Sequence, residues 1–334
     1  MEAPNTNEIK KEENIEVNSQ QEKTKDLQQK ESKCPCSEKQ LLIIIIPICI
    51  VVLFMVIFLP VYLKSKDDDN DDNDDNDDND NSIDEFTEYV ESYKYATLTP
   101  KNGYDNIYIN LGGISETANI HIELFKSTST FVPKGTKIYF LTGNARVIKF
   151  MEKYSISTPV PCWFNVDTNG MLICENCDGD DFKEAKESLK EILDKIDEIK
   201  EAENIDYKNI YLGGFSQGGI MTNYVLLNSR HELGGYLPFS GYVFDHNFPA
   251  NSVQASLSDT QKAILDARKN YHILASHSFN DDTVPYPLII PGYYTYYKEY
   301  TDFQLLSFGL IKHVLETQPT LPIVKRWLKE SMGK

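Results

Sequence analysis

The chain has 334 residues, a formal net charge of −18 and 41% hydrophobic residues. So acidic a chain, with no basic stripe, argues against nucleic acid as a partner. The length suits one large domain or two small ones, but the apolar residues are too unevenly spread for the whole chain to share a core.

Residues 1–40 hold seven lysines, nine acidic residues and no aromatic. Such a segment cannot bury enough apolar surface to offset the entropy of ordering it, so it reads as disordered. Leu41 to Leu63, "LLIIIIPICIVVLFMVIFLPVYL", is 23 residues without a charge. As a helix it would extend about 34 Å, enough to cross a hydrocarbon layer of about 30 Å. It is too long, and begins too far along the chain, for a cleaved signal peptide. It has no polar face for a core helix. The expectation is a single transmembrane helix. Lys23, Lys25, Lys30, Lys33 and Lys39 precede it, whereas only Lys64 and Lys66 follow closely. This bias places the N-terminus in the cytoplasm and the C-terminal part outside or in a lumen. Cys34 and Cys36 are juxtamembrane, open to palmitate or left as free thiols.

Residues 64–84 contain ten aspartates between Asp67 and Asp80, more than half of the net charge. Like charges at that density repel, so the segment reads as an extended, solvated spacer. It lacks the glycine and terminal glutamate of an EF-hand loop.

Residues 85–334 form the globular part, whose texture is clear from about residue 100. Residues 105–113 ("DNIYINLGG") and 136–144 ("TKIYFLTGN") read as strands ending in glycine. Residues 181–205 carry Leu189, Ile192, Leu193, Ile196 and Ile199 at spacings of three and four, the pattern of an amphipathic helix. "KNIYLGGFS", "LGGYLPFSGY", "YHILASHS" and residues 301–309 are further strands. "GGIMTNYVLLNS" and residues 321–330 are helices. Strands alternating with helices imply an α/β domain, a mostly parallel sheet with helices on both faces. Functional residues should then follow the carboxyl ends of the strands.

Ser216 does so. It lies in Gly214-Phe215-Ser216-Gln217-Gly218, a strand running in and an apolar helix running out. This is the pattern of a nucleophile elbow, and the helix N-terminus favours developing negative charge. A serine nucleophile needs a base, and the base needs an orienting carboxylate. In such folds the order along the chain is serine, acid, histidine. Of the histidines after Ser216, His231 follows the elbow helix too closely and His246 precedes any acid loop. His272 lies in a strand pattern, and His277 ends that strand. His313, between the last strand and the last helix, meets the order. The acid loop "FNDDTVPY" offers Asp281 and Asp282, and either could reach the histidine.

The stretches "YLGGFSQGG", "HSFNDDTVP" and "FGLIKH" closely resemble the acyl-protein thioesterase and carboxylesterase branch of the α/β-hydrolases. That family typically reads G-F-S-Q-G-G at the elbow, H-G-x-x-D-x-x-V-P at the acid and G-x-x-H near the end. "PVPCWFNV" (159–166) is similar to its P-x-W-F-D segment. The resemblance covers roughly residues 100–331 and implies an α/β-hydrolase fold. Matched on Val284-Pro285, it puts the acid on Asp281. It implies a Ser216–His313–Asp281 triad acting on acyl thioesters or esters of small molecules, lipids or proteins. The oxyanion would be held by the N–H groups of Gly113 and Gln217, with no metal or other cofactor. Three departures stand out. Leu111 stands where the family's H-G-x-G-D loop has histidine, Ser278 stands where glycine is usual, and "GLIKH" is one residue longer. An inactive hydrolase fold serving as a membrane-tethered binding domain is the alternative, and the Leu111 loop favours it. A lysophospholipase would share the mechanism.

Other features carry less. Cys174 and Cys177 ("CENC") lack the second pair that zinc needs and suit a local disulfide or free thiols, leaving Cys162 unpaired. The tyrosine-rich residues 291–300 read as a packing helix, with a substrate-lining wall as the sharper option.

Overall fold

The computed structural model describes residues 85–333, apart from 128–130, 153, 154, 156, 167–181, 230, 244–262, 264, 265, 299, 310 and 316–319. The chain divides into two units, Met1–Asp80 and Asn81–Lys334, and every described residue belongs to the second. The N-terminal segment, the apolar run 41–63, the spacer 64–84, His246 and the Cys174/Cys177 pair lie outside the described residues. Among the described residues, no helix is long and apolar enough to cross a membrane.

The domain is an α/β sandwich. In chain order its strands are β1 (Phe86–Ser92), β2 (Tyr95–Pro100), β3 (Asn106–Leu111), β4 (Thr136–Leu141), β5 (Asn144–Arg146), β6 (Val160–Cys162), β7 (Ile210–Phe215), β8 (Gly235–Phe239), β9 (Ile273–Ser278) and β10 (Phe303–Phe308). The helices are α1 (Ala118–Ser127), α2 (Lys149–Glu152), α3 (Lys183–Glu203), α4 (Gln217–Asn228), α5 (Tyr286–Tyr297) and α6 (Leu321–Ser331). Eight strands form one sheet in the order β1-β2-β4-β3-β7-β8-β9-β10. From β4 to β10 all neighbours are parallel, while β2 pairs antiparallel with both β1 and β4.

The sheet is covered on both faces, as strands buried on both sides require. Alternation along β3 sends Ile107, Ile109 and Leu111 into one core with Ile192, Ile196 and Ile199 of α3 and Met221 and Tyr224 of α4. Tyr108 points the other way, into a second core with Ile122 and Phe125 of α1 and Val324, Trp327 and Leu328 of α6. The apolar spacing read in α3 is the face that is buried. The tyrosine-rich segment is α5, which packs through buried Tyr293, Tyr296 and Tyr297 while Tyr294 faces solvent. The elements that escaped the sequence reading are the β1–β2 hairpin, α1, the short β5–β6 pair and α2.

Candidate active site

Ser216 occupies the tight turn between β7 and α4 with φ +56° and ψ −119°. That conformation is strained for a residue with a Cβ, and it is held by its surroundings. The Ser216 N–H donates to the Phe239 carbonyl at 2.9 Å, and its own carbonyl accepts from Ile220 N–H at 3.0 Å. The flanking glycines are needed for space. A Cβ on Gly218 would stand 2.0 Å from the Leu111 carbonyl oxygen, and one on Gly214 2.6 Å from the Gly218 backbone. The end of β3 is thereby pressed against the start of α4.

His313 bridges the other two members of the expected constellation. Its Nε2 lies 2.8 Å from Ser216 Oγ, and its Nδ1 lies 2.7 Å from Asp281 Oδ2. The ring also packs on Phe215, with centroids 4.7 Å apart. Asp281 is buried and held by its own turn: Oδ1 accepts from the N–H groups of Thr283 at 3.0 Å and Val284 at 2.7 Å. Its neighbour Asp282 turns outward instead and pairs with Lys312 at 2.9 Å, both side chains being exposed. Of the two aspartates that the sequence left open, Asp281 is the one against His313.

His277 is the next-to-last residue of β9, close to the strand end where the sequence placed it, and is fully buried. Its Nε2 is 2.7 Å from the Val284 carbonyl and 3.4 Å from Asp281 Oδ2. Burial holds its pKa below the usual histidine value, against the pull of the Val284 carbonyl and Asp281. A neutral ring donating from Nε2 follows. Two of the family departures meet nearby: the Ser278 hydroxyl donates to the Ile311 carbonyl, in the longer loop that carries His313.

The loop after β3 is positioned by α4 and by the segment after β6. Gln217 is buried, and its side chain accepts from the Trp163 N–H at 2.7 Å and donates to the Phe164 carbonyl at 2.7 Å. Trp163 in turn donates from Nε1 to the Gly112 carbonyl at 2.8 Å. Because a trans peptide points its C=O and N–H in opposite directions, this bond aims the Gly113 N–H away from Trp163. There it meets the carboxylate of Glu116, which accepts it. Glu116 Oε2 also lies 2.9 Å from His121 Nε2, an ion-pair distance. Burial opposes ionisation of this carboxyl, but His121, the Gly113 N–H and His313 outweigh it and hold its pKa below the usual range. Glu116 and His121 went unnoticed in the sequence. Leu111 is buried in the core, so the side chain that replaces the family histidine does not enter the site. Cys162 is a free, buried thiol whose pKa burial pushes up to about 11.

This arrangement defines an α/β-hydrolase with a serine at its elbow. The family described as Phospholipase/Carboxylesterase matches residues 140–304, a stretch that includes Ser216 and Asp281 but ends before His313. Over that stretch, 165 of its 334 residues, the chain is similar to that family. It is 31% identical over 127 residues to acyl-protein thioesterase 1 of Eremothecium gossypii, covering 38% of this chain and 46% of the relative. To acyl-protein thioesterase 1 of Cryptococcus neoformans it is 24% identical over 195 residues, covering 58% of this chain and 74% of the relative. The match thus spans about half of the first relative's length. The fold is shared with the crystal structure of Zea mays acyl-protein thioesterase 2, with a TM-score of 0.55 at 17% identity, over 72% of this chain and all of that one.

Proposed function

We propose that the protein is a membrane-anchored serine hydrolase that cleaves acyl thioesters or carboxylic esters. The observation that carries this reading is the continuous chain from Asp281 through His313 to Ser216 Oγ. Ser216 attacks the acyl carbonyl while His313 Nε2 takes its proton. Asp281 holds the tautomer with a proton on Nδ1 and stabilises the imidazolium. The tetrahedral oxyanion is held by the N–H groups of Gly113 and Gln217. His313 then protonates the departing thiol or alcohol, and water releases the acyl group by the same route in reverse.

The uncharged run 41–63 supports insertion in a bilayer, and the lysine bias supports an extracytoplasmic or lumenal catalytic domain. A tether raises the effective concentration of substrates in or on the same membrane. Lipid esters and acylated proteins fit that placement, and the thioesterase names of the relatives favour acylated protein. One observation favours a second reading, a tethered binding domain without turnover: the Gly113 N–H is already taken by Glu116.

The test is labelling of the full-length chain, in detergent or vesicles, by a serine-directed fluorophosphonate. Labelling of the wild type that is lost in Ser216→Ala is expected. Equal labelling of both proteins, or of neither even after prolonged exposure, refutes the catalytic reading. Protease protection of the C-terminal domain in sealed vesicles of known sidedness tests the topology.

A further inference from the structure

We infer that Glu116 is an internal latch on the oxyanion hole, its carboxylate holding the Gly113 N–H in the resting enzyme and leaving when the acyl carbonyl arrives. This rests on the hydrolase reading above and concerns how that site is regulated.

The donor cannot easily turn away from the carboxylate. Its peptide is fixed on one side by Trp163 Nε1 on the Gly112 carbonyl, at 2.8 Å, and Gly112 N–H continues the ladder to the Leu141 carbonyl at 2.9 Å. The loop is shaped to bring Glu116 back onto it. Ser115 adopts φ +68°, and the Glu116 N–H approaches the Gly113 carbonyl at 3.4 Å. Glycine at 113 leaves the carboxylate its space, since a Cβ there would stand 3.0 Å from Oε2 and 3.3 Å from Cδ. Behind the carboxylate stands His121, itself buried, with Nε2 at 2.9 Å from Oε2 and Nδ1 at 3.2 Å from Asn110 Nδ2. The resting contact is therefore a built one.

It is also incompatible with the reaction. An oxyanion must accept from the same N–H, and an ionised carboxylate beside it would repel the developing negative charge. Glu116 has somewhere to go, because its side chain is 23% exposed. Displacement costs a charge-assisted hydrogen bond, which reduces the rate of every acylation to the fraction of its unlatched value that equals the share of time the donor is free.

The experiment measures second-order rate constants for fluorophosphonate labelling of the full-length wild type, Glu116→Ala, Glu116→Gln and Ser216→Ala. The phosphoryl oxygen of the probe uses the same donors as a substrate carbonyl. Glu116→Ala frees the N–H and should label about ten-fold faster, the equivalent of losing one charge-assisted bond from the resting state. Glu116→Gln keeps a neutral acceptor of the same shape and should label about three-fold faster. A variant that merely damaged the fold would slow the reaction, so a gain separates a latch from a structural role. Rates equal to or below wild type in Glu116→Gln, and in Glu116→Ala if it melts as the wild type does, overturn the latch while leaving the hydrolase reading intact. Labelling that persists in Ser216→Ala overturns the hydrolase reading and the latch with it.

Discussion

The clamp made by Gln217 offers the sharpest test of how the site is held. Replacing it with methionine conserves length and volume but removes both polar atoms, while the backbone N–H at 217 stays. The buried Trp163 N–H then loses its acceptor, and the Phe164 carbonyl loses a donor. An orphaned buried donor costs about 1–3 kcal/mol, and loss of a neutral bond from a carbonyl about 0.5–1.5 kcal/mol, so Gln217→Met should destabilise the domain by roughly 2–4 kcal/mol. For a domain of this size each kcal/mol lowers Tm by about 2–4 °C, so a fall of roughly 5–15 °C is expected in a thermal melt. Activity should suffer separately. Trp163 holds the Gly112 carbonyl, so loosening Trp163 loosens the Gly113 donor, and kcat for a thioester substrate should fall about 10- to 100-fold, somewhat less than outright loss of an oxyanion donor. A Tm change below about 2 °C would refute the account, because Trp163 and Phe164 are too buried for bulk water to replace the lost bonds.

Asp281→Asn should cut kcat by about 10⁴, through the wrong histidine tautomer, whereas Asp282→Asn should leave kcat unchanged and shift stability by no more than about 0.5 kcal/mol; steady-state kinetics and melts on the pair check the assignment. Ser278→Ala removes the donor to the Ile311 carbonyl and should cost about 0.5–1.5 kcal/mol with a several-fold lower kcat, read by denaturant titration and kinetics, since the loop it pins carries His313. His277 has a folded pKa below its usual value of 6.5, so the unfolded chain binds more protons and stability is full above that pH and declines as the pH falls through it. Urea midpoints at pH 7.5 and 5.5 should therefore differ more for the wild type than for His277→Gln, and an equal difference would remove His277 as the cause.

The elbow was legible because all of its determinants are local: an apolar strand, glycines on either side of one serine, and an apolar helix. The choice of Asp281 over Asp282 was legible only through the family resemblance. Its physical basis is the turn in which Asp281 Oδ1 takes two backbone N–H groups within three residues. The β1 strand was illegible for a physical reason, since six of its seven residues are exposed and it shows no apolar alternation. Helix α1 hides for another: it has only ten residues, and its buried Ala118, Ile122 and Phe125 are interleaved with a buried histidine. Glu116 was passed over in the sequence. The available signal was a carboxylate three residues after a glycine and just ahead of a helix, the spacing at which a side chain reaches back to a backbone N–H.

The departures from the family pattern are less independent than their positions suggest. The hydroxyl of the serine that replaces glycine at 278 accepts from the Asn280 N–H at 3.1 Å and donates to the Ile311 carbonyl, two residues before the histidine, so the serine and the longer loop act together. At 111 the exchange concerns a side chain buried in the core, while the site uses that residue's backbone, packed so closely on Gly218 that a Cβ there has no room. The loop's path is thus set by Gly218, Trp163 and Gln217, and its altered side chains leave that path standing. The group that sits on the Gly113 N–H in the resting site is Glu116, further along the same loop. Catalytic capacity then depends on the free-energy gap between Glu116 bound and Glu116 displaced, a quantity that the triad geometry does not contain.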